Sequence, residues 1–398
     1  MKPVAAPAQV EVARGPRSGA WQEDPGFGVY VHIPFCRHRC HYCDFNTYEG
    51  QDEMHAPYVE ALIADIERWE GPTREATSVF FGGGTPTLLA ASDLGRVLTA
   101  VRNRIGIARD AEATVEANPE TVDLDYLEQL LEAGFGRISL GVQSLAPNVL
   151  ERLGRTHSAS TALSAVAAAR SAGFDDLNLD LIYGSPWESD EDWTRSLGGV
   201  IEADPDHVSA YALTVEEGTP LATLVATGRV PDVDPDLQAD RYGVAGEMLG
   251  AAGYERYEVS NWSKPNRASR HNVLYWSAGD YLGFGAGAHA HLDGERWWSV
   301  KLPRDFVDVV TSGRSTRDGS ERLERDARVG EALMLGLRLA GGIDLDAFDR
   351  RFGAGALTGR NEEIRSLEAL GVLEIASDRL RLTARGTYLA NEALSRLL

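Results

Sequence analysis

The sequence has only three cysteines in 398 residues, and it lacks both a long apolar run and an excess of positive charge. No stretch approaches the roughly 18 apolar residues of a membrane span, and the first residues lack the apolar core of a signal peptide. Lys and Arg number 39 against 60 Asp and Glu, and the resulting net charge of −21 would repel nucleic acid. We therefore expect a cytoplasmic protein with no nucleic-acid partner and no direct membrane span.

All three cysteines fall in one short run, Cys36-Arg-His-Arg-Cys40-His-Tyr-Cys43, which has the spacing CxxxCxxC. An odd number of cysteines at this tight spacing does not fit a disulfide framework, and in a reducing cytosol it indicates a metal site. One possibility is a [4Fe-4S] cluster, in which three thiolates bind three irons and leave the fourth open. The other is a structural zinc ion with a nearby histidine as fourth ligand. The candidate histidines are His32, His38 and His41.

Short β-rich runs alternate with longer helical patterns from about residue 28 to residue 214. The strand candidates are VYVHIPF, SVFFGG, ATVEANP, RISLGVQS, LNLDLIYG and HVSAYALT. Several are nearly continuous apolar runs, which is typical of a parallel sheet with helices on both faces. Six successive βαβ units are two short of a closed eight-stranded barrel, so we expect an α/β fold with an open, three-quarter (β/α)6 barrel. The cysteine run follows the first strand, where barrel enzymes place their active-site loops.

Composition divides the chain into three regions. We expect a disordered tail over residues 1–21, which is rich in Ala, Pro and Gly, and a barrel with an aromatic, Gly-rich extension over residues 22–300. Over residues 301–398, helices are followed by the alternating pair LEIA and RLRLT. This order predicts a C-terminal α+β domain of winged-helix-like architecture.

Polar and glycine residues stand at the ends of several predicted strands. Gly83, Gly84 and Thr85 follow the second strand, where missing side chains allow the backbone to approach a ligand closely. Burying polar groups is costly unless something pairs with them. These groups could bond with one another in the barrel mouth, but for the whole set we favour contact with a ligand. The polar residues are Glu116, Gln143, Arg155 and Asp180.

These motifs resemble the radical SAM superfamily, and in particular the branch that contains oxygen-independent coproporphyrinogen III oxidase and the haem chaperone HemW. The resemblance runs from about residue 28 to the C-terminus. It implies a [4Fe-4S] cluster on Cys36, Cys40 and Cys43, with the open iron bound by the amino and carboxylate groups of S-adenosylmethionine (SAM). The residues that it assigns to SAM are Tyr30, Tyr42, Gly83, Gly84, Thr85, Glu116, Gln143, Arg155 and Asp180.

Two features favour the chaperone over the oxidase. The oxidases continue the motif as CxxxCxxCxC and carry a longer N-terminal segment over the substrate, whereas this chain has Phe45 at the fourth position. The segment Arg270–Trp276 also contains HNxxYW, which resembles a signature of HemW proteins. The chaperone reading implies haem as ligand and client haem proteins as partners, including membrane-bound respiratory enzymes. The alternative is radical decarboxylation of two propionates of coproporphyrinogen III to vinyl groups.

The HNxxYW segment supplies candidates for haem contact. His271 can ligate iron through a neutral imidazole nitrogen, with Tyr275 and Trp276 against the macrocycle. The same residues could instead form an ordinary aromatic core, and His289 and His291 are rival ligands. We predict that His271→Ala weakens haem binding more than His289→Ala. The candidates to pair with haem propionates are Lys264, Arg267 and Arg270.

Overall fold

The computed structural model of the chain describes residues 19–72 and 74–398, so most of the predicted tail over residues 1–21 lies outside the described residues. Trp21, the last residue assigned to that tail, is 4% exposed. Its ring centroid lies 5.4 Å from that of Phe348 and 6.5 Å from that of Phe352. The expectation of disorder is wrong for Trp21, because burial of the indole against these rings stabilises an ordered chain.

One 12-stranded sheet forms the barrel, and the first part of the chain supplies its centre. The strands in this part are β1 (Phe27–Ile33), β2 (Phe35–Cys36), β3 (Tyr48–Glu49), β4 (Ala76–Gly83), β5 (Ile107–Ala117), β6 (Arg137–Gln143), β7 (Leu177–Tyr183) and β8 (His207–Ala212). The helices are α1 (His55–Glu67), α2 (Ala91–Arg104), α3 (Leu124–Ala133), α4 (Pro147–Leu153), α5 (Ala159–Ala172) and α6 (Asp190–Glu202). Strands β1, β4, β5, β6, β7 and β8 lie side by side and parallel, which confirms the predicted (β/α)6 order.

The middle of the chain adds strands to both edges of this sheet. They are β9 (Glu255–Glu258), β10 (Asn261–Ser263), β11 (Asp280–Phe284), β12 (His289–Leu292), β13 (Glu295–Ser299) and β14 (Arg317–Arg322). The accompanying helices are α7 (Pro220–Ala226), α8 (Pro235–Ala251), α9 (Arg270–Trp276) and α10 (Pro303–Thr311). The order across the sheet is β14-β13-β12-β11-β1-β4-β5-β6-β7-β8-β10-β9, with β11 parallel to β1. The parallel part of the barrel is therefore one strand wider than we predicted.

Sequence features account for the burial of β1 and for the start of helix α6. Val29, Val31 and Ile33, on one face of β1, are fully buried, and His32 on the opposite face is 6% exposed, as expected for a strand covered on both faces. Helix α6 begins with a capping box, in which Ser189 and Asp192 each bond the other's backbone N–H. None of the helices in the described part of the chain is long and apolar enough to cross a lipid bilayer.

The C-terminal region packs around a second core. Its elements are α11 (Arg325–Gly336), β15 (Ile343–Asp344), α12 (Leu345–Phe352), α13 (Asn361–Ala369), β16 (Leu373–Ala376), β17 (Arg379–Leu382), α14 (Ala384–Tyr388) and α15 (Ala390–Ser395). The three strands form an antiparallel sheet in the order β15-β17-β16, so the predicted helices and hairpin are present. The boundary lies later than the expected residue 300, because Phe306 and Val310 of α10 pack in the barrel core and β14 ends the large sheet.

Candidate cofactor site at the mouth of the barrel

The three cysteines lie on the loop that leaves the carboxyl end of β1. Cys36 ends β2, and Cys40 and Cys43 follow in the loop before β3, where the Cys43 N–H donates to the carbonyl of Cys40 at 3.2 Å. Two backbone hydrogen bonds fix this loop to the end of β4, from Gly84 N–H to Ile33 O and from Thr85 N–H to Phe35 O. All three thiols are unbridged and face a cavity of about 430 Å³.

The surroundings of these thiols suit a metal cluster. Burial raises the pKa of the Cys36 thiol to about 11 and also raises the pKa of Cys43. Thiolates form at such positions only beside a compensating positive charge, which bound iron supplies. A polar side chain faces each sulfur. The pairs are Thr85 Oγ1 to Cys36 Sγ at 3.9 Å, Arg155 Nη1 to Cys40 Sγ at 3.5 Å, and Thr47 Oγ1 to Cys43 Sγ at 3.9 Å.

The histidines considered as a fourth zinc ligand are engaged elsewhere. His32 lies between a tyrosine hydroxyl and a backbone carbonyl, His38 faces a carboxylate at 3.5 Å, and His41 bonds a backbone carbonyl at 3.1 Å. Among the residues that the structure describes, no three His, Cys, Asp or Glu side chains are grouped closely enough to hold a single ion. With these three histidines bonded elsewhere, the donors left on the loop are three thiolates, the donor set of a [4Fe-4S] cluster with one open iron.

The glycines at the end of β4 bring the backbone to the cavity wall. Gly83 has φ +114°, and a Cβ there would lie 2.4 Å from the ring of His32. A Cβ on Gly84 would lie 2.4 Å from the carbonyl oxygen of Phe35. The Gly83 N–H donates to Oε2 of Glu116 at 3.1 Å. Only glycine fits both positions, because a side chain would meet the His32 ring or the Phe35 backbone.

The carboxylates at the strand ends meet at the same wall. Burial, together with the negative charge of Asp180, raises the pKa of Glu116 to about 7. Asp180 accepts hydrogen bonds from Ser139 Oγ at 2.9 Å and from Asn178 Nδ2 at 2.8 Å. A cationic group in the cavity would favour the ionised form of Glu116, because it would offset the charge of Asp180. The amino group of SAM has that charge.

Arg155 joins the cluster loop to the polar strand ends. Its guanidinium donates to Asn118 Oδ1 at 2.6 Å and to the carbonyl of Gly141 at 2.7 Å, and it faces Cys40. Asn118 in turn donates to Thr85 Oγ1 at 3.0 Å. Sequence reasoning missed Asn118, although its place two residues after Glu116 was a usable signal, since alternate residues of a strand share a face.

The structure brings most of the predicted SAM residues together with the three cysteines. Those that line the cavity are Tyr42, Gly83, Gly84, Thr85, Glu116, Gln143, Arg155 and Asp180. Tyr30 does not line it: its hydroxyl lies 2.9 Å from His32 Nδ1, and its ring stacks on Phe80 with centroids 6.3 Å apart. Tyr30 precedes His32 by two residues on the same face of β1, so its side chain lies further inside the barrel than that of His32. It therefore has no direct contact with a ligand in the cavity.

His271 lies at the other end of the barrel. Helix α9 crosses the amino ends of the strands, and the N–H groups of Arg270 and His271 donate to Glu112 at the start of the β5 core segment. The ring is 2% exposed, contacts Ser78 Oγ through Nδ1 at 2.9 Å, and stacks on Phe80. Burial lowers the pKa of His271 to about 3. The predicted haem ligand is therefore a neutral histidine enclosed in the barrel floor.

The basic residues predicted to pair with haem propionates already have acidic partners. Each lies near the surface within 4 Å of an aspartate carboxylate. The pairs are Lys264 with Asp204 at 2.7 Å, Arg267 with Asp206 at 3.9 Å and Arg270 with Asp110 at 3.3 Å. Each cation is therefore compensated locally, and pairing with a propionate would require exchange of that ion pair.

Two family models match the chain. Residues 30–198 match the radical SAM superfamily, and residues 323–389 match the HemN C-terminal domain. The first match covers the cluster loop and the parallel strands of the barrel from β1 to β7, and the second covers most of the C-terminal core.

Several characterised proteins are similar over nearly the whole chain. The haem chaperone HemW of Mycobacterium tuberculosis is 42% identical over 94% of this chain and 95% of its own length. HemW of Bacillus subtilis is 32% identical over 93% of this chain and 98% of its own length. The mitochondrial radical S-adenosyl methionine domain-containing protein 1 of Bos taurus is 35% identical over 96% of this chain and 90% of its own length.

Among solved structures, coproporphyrinogen III oxidase HemN from Escherichia coli superposes with a TM-score of 0.80. The match covers 95% of this chain and 91% of that chain at 23% sequence identity. At this identity the likeness establishes the fold alone. It confirms the expected radical SAM barrel with its C-terminal domain.

Proposed function

The chain belongs to the HemW family of radical SAM proteins, and from this membership we propose that it binds haem and delivers it to client haem proteins. The observation that carries the proposal is the relationship to HemW proteins at 32–42% identity over more than nine-tenths of this chain. The oxidase resembles it in fold at 23% identity. Function therefore follows the chaperones and not the oxidase.

Within this proposal, the cluster and SAM occupy the cavity at the barrel mouth. Cys36, Cys40 and Cys43 would hold a [4Fe-4S] cluster, and the wall formed by Gly83, Glu116 and its neighbours would orient SAM. When bound, the reduced cluster would supply the electron for one-electron reduction of SAM. Phe45, which is 63% exposed at the cavity rim, stands where the oxidases have a further cysteine.

The proposal also includes where haem is delivered and which proteins receive it. We place delivery in the cytoplasm, with membrane-bound respiratory enzymes among the clients. The net charge of −21 favours contact with a client protein over contact with anionic lipid. Transfer to a membrane-bound client would then depend on a protein interface.

The decisive experiment compares haem binding with oxidase turnover in one preparation. The protein is reconstituted anaerobically with iron and sulfide and supplied with SAM and a reductant. We expect stoichiometric haem binding, transfer of that haem to an apo-cytochrome, and no product from coproporphyrinogen III. Multiple turnovers of coproporphyrinogen III to protoporphyrinogen would overturn the proposal and favour the oxidase.

A second measurement tests the cluster itself. We expect about four irons per chain and a [4Fe-4S] signal that SAM perturbs, both lost in Cys36→Ala. An anaerobically prepared protein with one zinc and no iron would contradict the cluster assignment.

A further inference from the structure

A second cavity lies between β11–β13 and the C-terminal domain, away from the cysteines. It has a volume of about 380 Å³. Tyr275, Tyr281 and Phe352 form aromatic walls. The charged and titratable lining comprises His291, the three arginines Arg296, Arg328 and Arg351, and the three carboxylates Asp280, Asp293 and Glu331. Aromatic walls with a few convergent polar groups are typical of sites for large, flat organic ligands.

His291 has the arrangement of a metal-ligating histidine. Its Nδ1 lies 3.3 Å from the carbonyl oxygen of Gly279 and 3.4 Å from Oδ1 of Asp280. Two acceptors on this side favour the proton on Nδ1, which leaves the lone pair of Nε2 available for a metal. Among the described residues no hydrogen bond engages Nε2, and the side chain keeps 16% of its surface exposed.

Two arginines at this cavity form no close ion pair with a described carboxylate. Neither Arg328 nor Arg351 has a carboxylate oxygen within 4.0 Å among the described residues, whereas Arg296 beside them pairs with Glu321 and Glu331. Arg351 instead donates to the carbonyls of residues 277 and 278. Burial lowers the pKa of Arg351; the charge of Asp280 opposes this shift and the charge of Arg328 adds to it. Two neighbouring anionic groups would relieve this repulsion, and two carboxylates on one ligand meet that requirement.

The HNxxYW segment reaches this cavity through its tyrosine and not its histidine. Tyr275 lies in the wall, with its ring centroid 4.7 Å from that of Tyr281. His271 stands behind Tyr275, at 4.6 Å between centroids, and does not line the cavity. His271 can therefore influence a ligand there only by positioning the tyrosine.

We propose that haem binds in this second cavity, with His291 Nε2 on the iron and with Arg328 and Arg351 paired to the two propionates. This inference rests on the proposed haem-chaperone function and gives that function its site. No bond is broken in the step: a neutral imidazole donates a lone pair to the iron, and the ion pairs form without proton transfer.

The ligand assignment is tested by titrating ferric haem into the full-length protein and recording the Soret band and the electron paramagnetic resonance spectrum. We expect His291→Gly to raise the Kd at least tenfold and to lose the histidine-ligand spectrum, and we expect added imidazole to restore that spectrum. His289→Ala is the matched control, because His289 lies on the same strand but outside the cavity. His289→Ala should bind as the wild type does. Loss of the histidine signature in His271→Ala, with His291→Gly unchanged, would overturn the assignment.

The propionate assignment has its own readout. In the double variant Arg328→Gln/Arg351→Gln we expect haem to bind at least tenfold more weakly, while haem dimethyl ester binds both proteins alike. An equal loss for haem and its ester would contradict the ion pairs. If the wild type binds no haem, the proposed function fails; if it binds haem and the His291 and arginine variants match it, only this site is wrong.

Discussion

At the scale of single residues, Gly83 allows the end of β4 to pack against the ring of His32 beside the cofactor cavity. Its φ of +114° and the 2.4 Å approach of a hypothetical Cβ to His32 both exclude a side chain. We expect Gly83→Ala to lower the free energy of unfolding by about 1–3 kcal/mol, because a non-glycine residue is strained in this backbone conformation and the buried ring of His32 must move. Urea unfolding of the metal-free protein measures the change.

Gly198 provides the matched control for that substitution. It lies in helix α6, and a Cβ there would meet no described atom within 4 Å. Gly198→Ala should be neutral or stabilise the fold by up to about 1 kcal/mol, since alanine favours the helix. Equal stability of the Gly83 and Gly198 variants would contradict the steric argument.

Glu116 gives the metal-free protein a specific dependence on pH. Because burial and Asp180 raise its folded pKa to about 7, from 4.5 in the unfolded chain, the folded state binds the extra proton between these values. Stability from this group is present below pH 4.5 and is lost as the pH rises to about 7, a change on the order of 3 kcal/mol. Glu116→Gln should remove that change and be the more stable protein at pH 8.

The measurement is urea unfolding of both proteins from pH 5 to pH 8. Glu128→Gln is the control, since it removes the same charge from an exposed position on α3. A stability difference between wild type and Glu116→Gln that does not vary with pH would show that Glu116 titrates normally.

The sequence was sufficient to predict which residues line the cofactor cavity, but it was not sufficient to place a histidine that could ligate haem. Cys36 and its two companions are recognisable because ligands on one short loop keep their spacing in the fold. The buried position of His271 was not predictable, because it depends on Glu112 and Ser78, which are more than 150 residues away and bring it into the barrel floor. No local pattern records such long-range partners.

At the scale of elements, helix α9 depends on a carboxylate from another strand. Its N-cap Ser269 accepts from the Asn272 N–H, and Glu112 of β5 accepts from Ser269 Oγ and from the N–H groups of Arg270 and His271. A buried carboxylate at a helix N-terminus satisfies free donors and suits the helix dipole. We expect Glu112→Gln to destabilise the fold by about 1–3 kcal/mol, as measured by thermal or urea unfolding.

Asp110 gives the comparison, because it is on the same strand and its exposed carboxylate pairs with Arg270. Asp110→Asn should cost less than about 1 kcal/mol, as surface ion pairs usually do. If the two variants lose the same stability, the carboxylate of Glu112 has no special role in starting the helix.

Elements were predictable where the pattern was long and apolar. The six main strands are such runs, and each lies where the sequence indicates. Strand β11 is only DYLGF, whose polar start and glycine give little periodicity, and it becomes a strand because β1 offers a free edge from Phe27 to Val31. The late domain boundary has a similar cause, since α10 and β14 join the barrel through contacts that composition does not reveal.

At the scale of the whole molecule, the two cavities lie at opposite ends of the parallel strands. The cluster loop follows Ile33 at the carboxyl end of β1, whereas Tyr281 in the second cavity pairs with Gly28 near its amino end. Five residues of extended strand separate these levels by about 16 Å. Haem in the second cavity would leave the place of SAM unobstructed.

We therefore expect haem and SAM to bind the reconstituted protein at the same time. Saturating SAM should change the haem Kd less than twofold, because neither ligand contacts a residue of the other's cavity. A porphyrin bound over the cluster, as an oxidase substrate would be, should instead compete with the groups around SAM. Haem titrations with and without SAM measure the coupling, and a haem Kd that rises in proportion to SAM concentration would place both ligands at the barrel mouth.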